Sequence, residues 1–156
     1  MPGKLVYLKG DATYPEKYLE RKDEIKVIIH VCNDIDKWGR GFVLALSKRW
    51  SKPKISFHSM KKELGTISIC PIEQTNICVV NMMAQRGIYK QNGIEPIRYG
   101  ALETCLKEVA KTFKDYVSKV SIHLPRIGCG LAGGNWGIVQ GLIEKNLVEK
   151  GYTVCV

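Results

Sequence analysis

The sequence predicts an α/β fold, a three-layer α/β/α sandwich around a mixed, mostly parallel central sheet. Three observations carry this. Strand and helix signals alternate along the chain in the order β-β-α-β-β-α-β-α-β, and helices interleaved with strands pack on the two faces of one sheet. The run over residues 25–32 (IKVIIHVC) is nearly all apolar, as a strand covered on both faces must be. The 156 residues bury a sizeable core without a disulfide or metal staple, so a single domain over 1–156 is expected.

Residues 4–9 (KLVYLK) read as a short first strand and residues 25–32 as the second. Residues 41–50 read as a helix with Phe42, Val43, Leu46 and Trp50 on one face. Residues 65–71 (GTISICP) and 76–83 (NICVVNMM) are rich in strand formers. Residues 97–113 form the clearest helix, because Ala101, Leu102, Cys105, Leu106, Val109, Ala110 and Phe113 keep a 3.6 period. A strand over residues 117–124 stops at Pro125. A helix over residues 135–149 has Val139, Leu142, Ile143, Asn146 and Leu147 inward, Asn135 as its N-cap and Gly151 as its stop. Residues 152–156 are a last strand.

The net charge of +9 is local. Residues 37–62 hold eight Lys or Arg and no Asp or Glu, whereas the rest of the chain carries 16 basic and 15 acidic residues. Two readings account for that block: an anionic partner nearby, or a solvated helix face followed by a lysine-rich loop. As a nucleic-acid surface it is disfavoured, since only Trp50 and Phe57 interleave aromatics with Lys48–Lys62. Residues 1–10 contain Lys4 and Lys9 and do not resemble a signal peptide. The longest uncharged run, residues 127–143, contains six glycines and makes a poor membrane span, so no membrane partner is expected. No two of the six cysteines lie within five residues of each other, which excludes a CxxC zinc or redox pair. A reduced, cytoplasmic location is the expectation, with no metal and no cofactor.

Parallel sheets bind ligands at the carboxyl ends of their strands, so the loops there carry the chemistry. After the second strand come Asn33, Asp34, Ile35, Asp36, Lys37, Trp38, Gly39, Arg40 and Gly41 at a helix entry. Glycines and a helix N-terminus together make an anion site, and also make a plain turn. Gly128, Cys129, Gly130, Leu131, Ala132, Gly133 and Gly134 link a buried strand to a helix. Four glycines there are better explained by a second phosphate cradle than by packing. The same loop spells G-x-G-x-x-G, but no second βα unit with its acidic residue is expected after it, and a nicotinamide-dinucleotide oxidoreductase is set aside. Asp11, in the loop after the first strand, could accept a hydrogen bond from an exocyclic amine or serve as a turn residue. His30, inside a strand, reads as a core residue. Cys129 reads as a small spacer.

These loops together resemble the macrodomain family, the ADP-ribose-binding α/β/α fold. The resemblance covers nearly the whole chain. It rests on Gly10-Asp11-Ala12-Thr13, on His30-Val31-Cys32-Asn33-Asp34 running into Trp38-Gly39-Arg40-Gly41, on Ala84-Gln85-Arg86, and on His123-Leu124-Pro125-Arg126-Ile127-Gly128 with Asn135-Trp136. It implies that Asp11 and Ala12 hold adenine, that residues 38–42 (Trp38 to Phe42) and 128–134 hold the diphosphate and distal ribose, and that Asn33 and Asp34 line the distal-ribose end. Lys37 and Arg40 would then sit beside the diphosphate. A glycohydrolase of this family uses a lysine and an aspartate whose places fall here near Ala84 or Gln85 and at Ala132. None of these residues can act as nucleophile or acid/base, so that mechanism does not carry over. Lys90, in the same loop, reads as a substitute or as a surface lysine.

Three function classes follow. One is a reader of ADP-ribose, free or attached to protein or nucleic acid. The second is a hydrolase of ADP-ribose derivatives at the distal ribose, with water polarised by Asn33, Asp34 or Asp36. The third, a basic nucleic-acid-binding domain, ranks last. A monomer is expected.

Overall fold

The computed structural model describes residues 3–17, 24–39, 41–127 and 133–156. Six strands form one sheet in the order β1-β6-β5-β2-β4-β3. They are β1 (Lys4–Val6), β2 (Ile25–Asn33), β3 (Ile67–Pro71), β4 (Ile77–Gln85), β5 (Val120–His123) and β6 (Thr153–Cys155). Every pairing is parallel except β3 with β4, so the sheet is mixed and mostly parallel.

The helices are α1 (Phe42–Arg49), α2 (Lys52–Ser59), α3 (Tyr99–Thr112) and α4 (Trp136–Asn146). Alternation along β2 explains the layers. Val27 and Ile29 join the core under α3 and α4, which includes Leu102, Leu106, Val139 and Ile143. Ile28 and Cys32 join the opposite core with Leu46 of α1 and Phe57 of α2. β2 and β4 are therefore buried on both faces, as their nearly all-apolar runs predict.

Boundaries move where local signals are weak. β1 has three residues rather than six, and a 3-10 segment, Lys114–Lys119, replaces the expected start of β5. α4 ends at Asn146, a 3-10 turn Val148–Lys150 follows, and Gly151 closes it at φ 100°. α2 has no counterpart in the sequence reading, which allows a lysine-rich loop there. Only Pro53 and Phe57 of its eight residues are buried, too few to print a helical period, and Pro53 sits where a helix start tolerates it.

Four of the eight residues of the basic block are paired within the fold. Arg49 pairs with Glu16 at 3.0 Å and lies over the rings of Tyr14 and Trp50. Lys52 reaches Glu73 at 2.6 Å, Lys61 reaches Glu63 at 2.8 Å and Lys62 reaches Asp36 at 3.1 Å. Asn135 is the N-cap of α4, its side-chain oxygen accepting from the Ile138 N–H at 3.4 Å. Asn135→Ala is expected to cost about 1 kcal/mol in urea unfolding, the usual price of a lost cap.

Candidate functional site

The chain leaves β2 for α1 on one face of the sheet and leaves β5 for α4 on the other. β2 and β5 are neighbours. Where adjacent parallel strands send their connections to opposite faces, a crevice opens at their carboxyl ends, and in such sheets that crevice takes the ligand.

The loop after β2 forms one wall. Asn33 is buried and holds the loop from inside: its Oδ1 accepts from the N–H groups of Ile35 (3.2 Å) and Lys37 (3.0 Å), and its Nδ2 donates to the Lys37 carbonyl (2.7 Å). Asp34 Oδ1 accepts from the Gly87 N–H at 2.8 Å, tying this loop to the one after β4. Asp36 turns away toward α2, where His58 Nδ1 lies at 2.7 Å and Lys62 Nζ at 3.1 Å. The hydrogen bond from His58, then that from Lys62, holds its carboxyl below the usual carboxylate range. Of the three residues expected to polarise water, Asn33 and Asp34 thus stand at the end of β2, and Asp36 is engaged outside it.

Trp38 plugs the loop into the core. It is 9% exposed, donates from Nε1 to Ser47 Oγ at 2.8 Å, and meets the rings of His30 and Phe57 at 5.5 and 5.4 Å. Gly39 is exposed beside it. Gly41 follows at φ 73°, ψ −136°, a conformation that suits only glycine. It opens α1, which has no side-chain cap and no acidic residue in its first turn. The first N–H groups and the positive dipole end of such a helix suit an anion. The N-terminus of α4 differs, because Asn135 occupies it. Arg40 and the residues Gly128, Cys129, Gly130, Leu131 and Ala132 lie outside the described residues.

A cavity of about 670 Å³ lies at the carboxyl ends of β1, β6 and β5 and reaches Phe42 at the start of α1. Asp11 and Ala12 line it, with Tyr7, His123 and Arg126. Asp11 Oδ1 also accepts from the Thr13 N–H (2.9 Å) and hydroxyl (2.7 Å), so the turn role and the lining role coexist. His123 forms part of the lining as a buried imidazole, its Nε2 2.8 Å from Ser121 Oγ. Burial, and secondarily the charge of Lys26, pushes its pKa down to about 4, so the ring is neutral at pH 7. At the rim, the Arg126 guanidinium lies over the rings of Trp136 (5.5 Å) and Tyr7 (5.8 Å), and Trp136 Nε1 donates to the Tyr7 hydroxyl at 3.0 Å. A guanidinium at a cavity edge offers a planar cation on which a planar ligand group can stack. Sequence reasoning missed Tyr7, which it placed inside a strand over residues 4–9, whereas β1 ends at Val6 and Tyr7 follows it.

The loop over residues 86–98 meets the end of β2 through Gly87 and Asp34. Gly133, at φ 71°, lies against Glu95 so closely that a Cβ there would sit 2.1 Å from Glu95 Oε2. Lys90 Nζ is 3.5 Å from Glu95 Oε1. His30 is buried, its Nε2 2.5 Å from Asn81 Oδ1, the core role expected of it. Cys32, Cys70, Cys78, Cys105 and Cys155 are free and buried, and burial raises each thiol, so none is a poised nucleophile. Among the described residues no three His, Cys, Asp or Glu side chains group as a metal site, and no helix is long and apolar enough to cross a membrane.

Fold and crevice define an α/β/α protein with an anion-receptive cleft at a topological switch point. The chain belongs to the macrodomain family. It is 37% identical to a macrodomain protein of Streptomyces coelicolor, with 98% of this chain and 97% of that one covered and a TM-score of 0.79. It is 43% identical to a Bacteroides thetaiotaomicron protein of unknown function, with 99% and 97% covered and a TM-score of 0.89. A stretch of 157 residues is 36% identical to the zebrafish (Danio rerio) chromodomain-helicase-DNA-binding protein 1-like; it takes in 93% of this chain but only 14% of that protein's length. An ADP-ribose 1″-phosphate phosphatase of Candida albicans is 22% identical over 89% of this chain and 91% of its own. No family model matches the chain.

Proposed function

We propose that this chain binds ADP-ribose, free or as the terminal ADP-ribosyl group of a modified macromolecule, and hydrolyses ADP-ribose derivatives at the distal ribose. One observation carries the reading: the uncapped N-terminus of α1 opens at the switch point directly beside the cavity lined by Asp11 and Arg126. Adenine enters that cavity, its amino group donating to Asp11 and its face lying on the Arg126 platform. The diphosphate meets the N–H groups at Gly41 and Phe42, where a dianion balances the helix dipole. The distal ribose lies toward Asn33 and Asp34. Family membership and the named activity of the Candida relative support the same ligand.

Calorimetric titration with ADP-ribose tests this. Binding is expected in the wild type. Asp11→Ala should weaken it about ten- to a hundredfold, the worth of one hydrogen bond to a charged group. Asp11→Asn keeps an acceptor for Thr13 and for adenine and should retain most of the affinity, which separates ligand contact from turn repair. No heat at millimolar ADP-ribose refutes the reading.

A further inference from the structure

A second cavity, of about 620 Å³, lies at the far end of the sheet from the cleft. It sits between the closing turns of α3 and α4, beside the 3-10 segments that lead into the amino ends of β5 and β6. The cleft is at the carboxyl ends of those strands, and the two cavities share no lining residue. Five lysines line the second one: Lys107 and Lys111 of α3, Lys114 just after it, Lys145 of α4, and Lys150 in the turn that follows. Glu149 is the one acidic residue in the lining. Outside residues 37–62 the chain carries 16 basic and 15 acidic residues, so folding, not composition, makes this local excess.

All five lysines are exposed. Lys145 is paired, with Glu103 at 3.2 Å. Lys107, Lys111, Lys114 and Lys150 make no ion pair among the described residues. Helix ends explain only part of the cluster. A cation in the last turn complements the helix dipole, which accounts for Lys111 and Lys145. Lys107 stands one turn before Lys111, where like charges four residues apart repel. Lys114 and Lys150 lie beyond the two helices. The polar groups of the floor are already bonded: the Tyr152 hydroxyl donates to the Ala110 carbonyl at 2.6 Å, and Asn146 Nδ2 donates to Glu103 Oε2 and to the Leu142 carbonyl, each at 2.9 Å. The lysines are therefore the groups left to hold a ligand, and a concave surface ringed by one sign of charge focuses its potential on an anion.

We infer that this groove binds a compact small molecule bearing several phosphoryl groups, at a site separate from the cleft. Lys107, Lys111, Lys114 and Lys150 hold the phosphates, while Lys145 stays with Glu103. The chemistry of the lining selects that class. Lysine binds phosphate as a point charge, without the planar fork by which arginine grips a carboxylate. Four unpaired cations around one small volume match several negative charges on one molecule, which a single phosphate or carboxylate does not carry. The volume is that of a small-ligand site. A single-stranded nucleic acid is fastened by bases stacked on aromatic rings, and the one aromatic residue in the lining, Tyr152, is 1% exposed. An occupant also relieves the repulsion among the lysines and so stabilises the folded chain.

Inorganic tripolyphosphate is the probe, titrated into the full chain by calorimetry and followed through backbone amide NMR shifts. Binding is expected, with shifts over residues 107–119 and 145–152 and a raised Tm. Inorganic phosphate should bind about tenfold more weakly or worse, since it engages fewer of the lysines. Lys111→Gln combined with Lys114→Gln should weaken tripolyphosphate binding about tenfold, the worth of two exposed ion pairs. Lys111→Arg combined with Lys114→Arg keeps both charges and should hold the affinity within about threefold of wild type. No heat at millimolar tripolyphosphate overturns the inference. So do shifts confined to Gly41, Phe42 and the rest of the cleft, or an affinity unchanged in the double glutamine variant. A single strand of about 20 nucleotides that binds the wild type more tightly than tripolyphosphate, and loses affinity in the same variant, overturns it as well and gives the groove to nucleic acid. None of these outcomes depends on ADP-ribose binding.

Discussion

Lowering the pH from 6.5 to 4.5 is expected to remove about 4 kcal/mol of folding stability through two buried histidines. His30 and His123 are each 2% exposed. Burial pushes both down to about 4 from an ordinary 6.5; the hydrogen bond that His30 Nε2 donates to Asn81 Oδ1 opposes the shift at His30, and Lys26 adds to it at His123. Both pKa values are depressed in the folded state. Between about pH 6.5 and 4 the unfolded chain therefore binds protons that the folded chain excludes, and stability rises with pH. The slope should be about 2.5 kcal/mol per pH unit near pH 5, from nearly two protons taken up on unfolding. Urea unfolding at half-unit intervals measures it. His30→Gln and His123→Gln should each halve the slope, and a pH-independent midpoint over this window would contradict the burial argument. The loss is a large fraction of the total that a domain of this size possesses.

Trp38→Ala should be the most damaging single substitution in the first loop, at about 3–5 kcal/mol. The ring fills the space between His30 and Phe57, and its Nε1 is bonded to Ser47. Its removal leaves a cavity at the base of the residues that open α1. A fall in Tm of about 10 °C or more is expected by calorimetry. ADP-ribose affinity should fall at least tenfold in addition, because the loop loses its anchor. Trp38→Phe keeps most of the packing and loses only the hydrogen bond, at about 1 kcal/mol. Equal losses in the two variants would mean that the hydrogen bond, not the packing, holds the loop.

The sheet and its long helices were legible because they rest on period. β2 and β4 are nearly all-apolar runs, and α3 repeats its buried residues Leu102, Cys105, Leu106 and Val109 on one face. Of the strand-end glycines singled out in the sequence, Gly41 and Gly133 adopt positive φ, and Gly128 and Gly130 lie outside the described residues. α2 was not legible, because two buried side chains in eight carry no period. Nor could the partners of the loop carboxylates be read, since they depend on distant neighbours. Asp36 finds His58 across 22 residues, and Glu95 finds Gly133 from another strand's loop. Nor could the partners of the basic block be read: acids elsewhere in the chain, Glu16 and Glu73, reach back to Arg49 and Lys52.

The shortest strand has a consequence for how the cleft comes into being. β1 is three residues long, stands at the edge of the sheet formed by the described residues and pairs there with β6, some 150 positions further along the chain. Closing so long a loop is slow and gains little until the remainder of the sheet exists to receive it. The turn bearing Asp11 and Ala12 hangs from that strand. That wall of the cavity is consequently among the last surfaces to assemble and among the first to open in native-state fluctuations. A bound nucleotide, by holding that turn against β5 and β6, would act as a clasp on the edge of the sheet, and occupancy of the pocket would report that folding has run to completion.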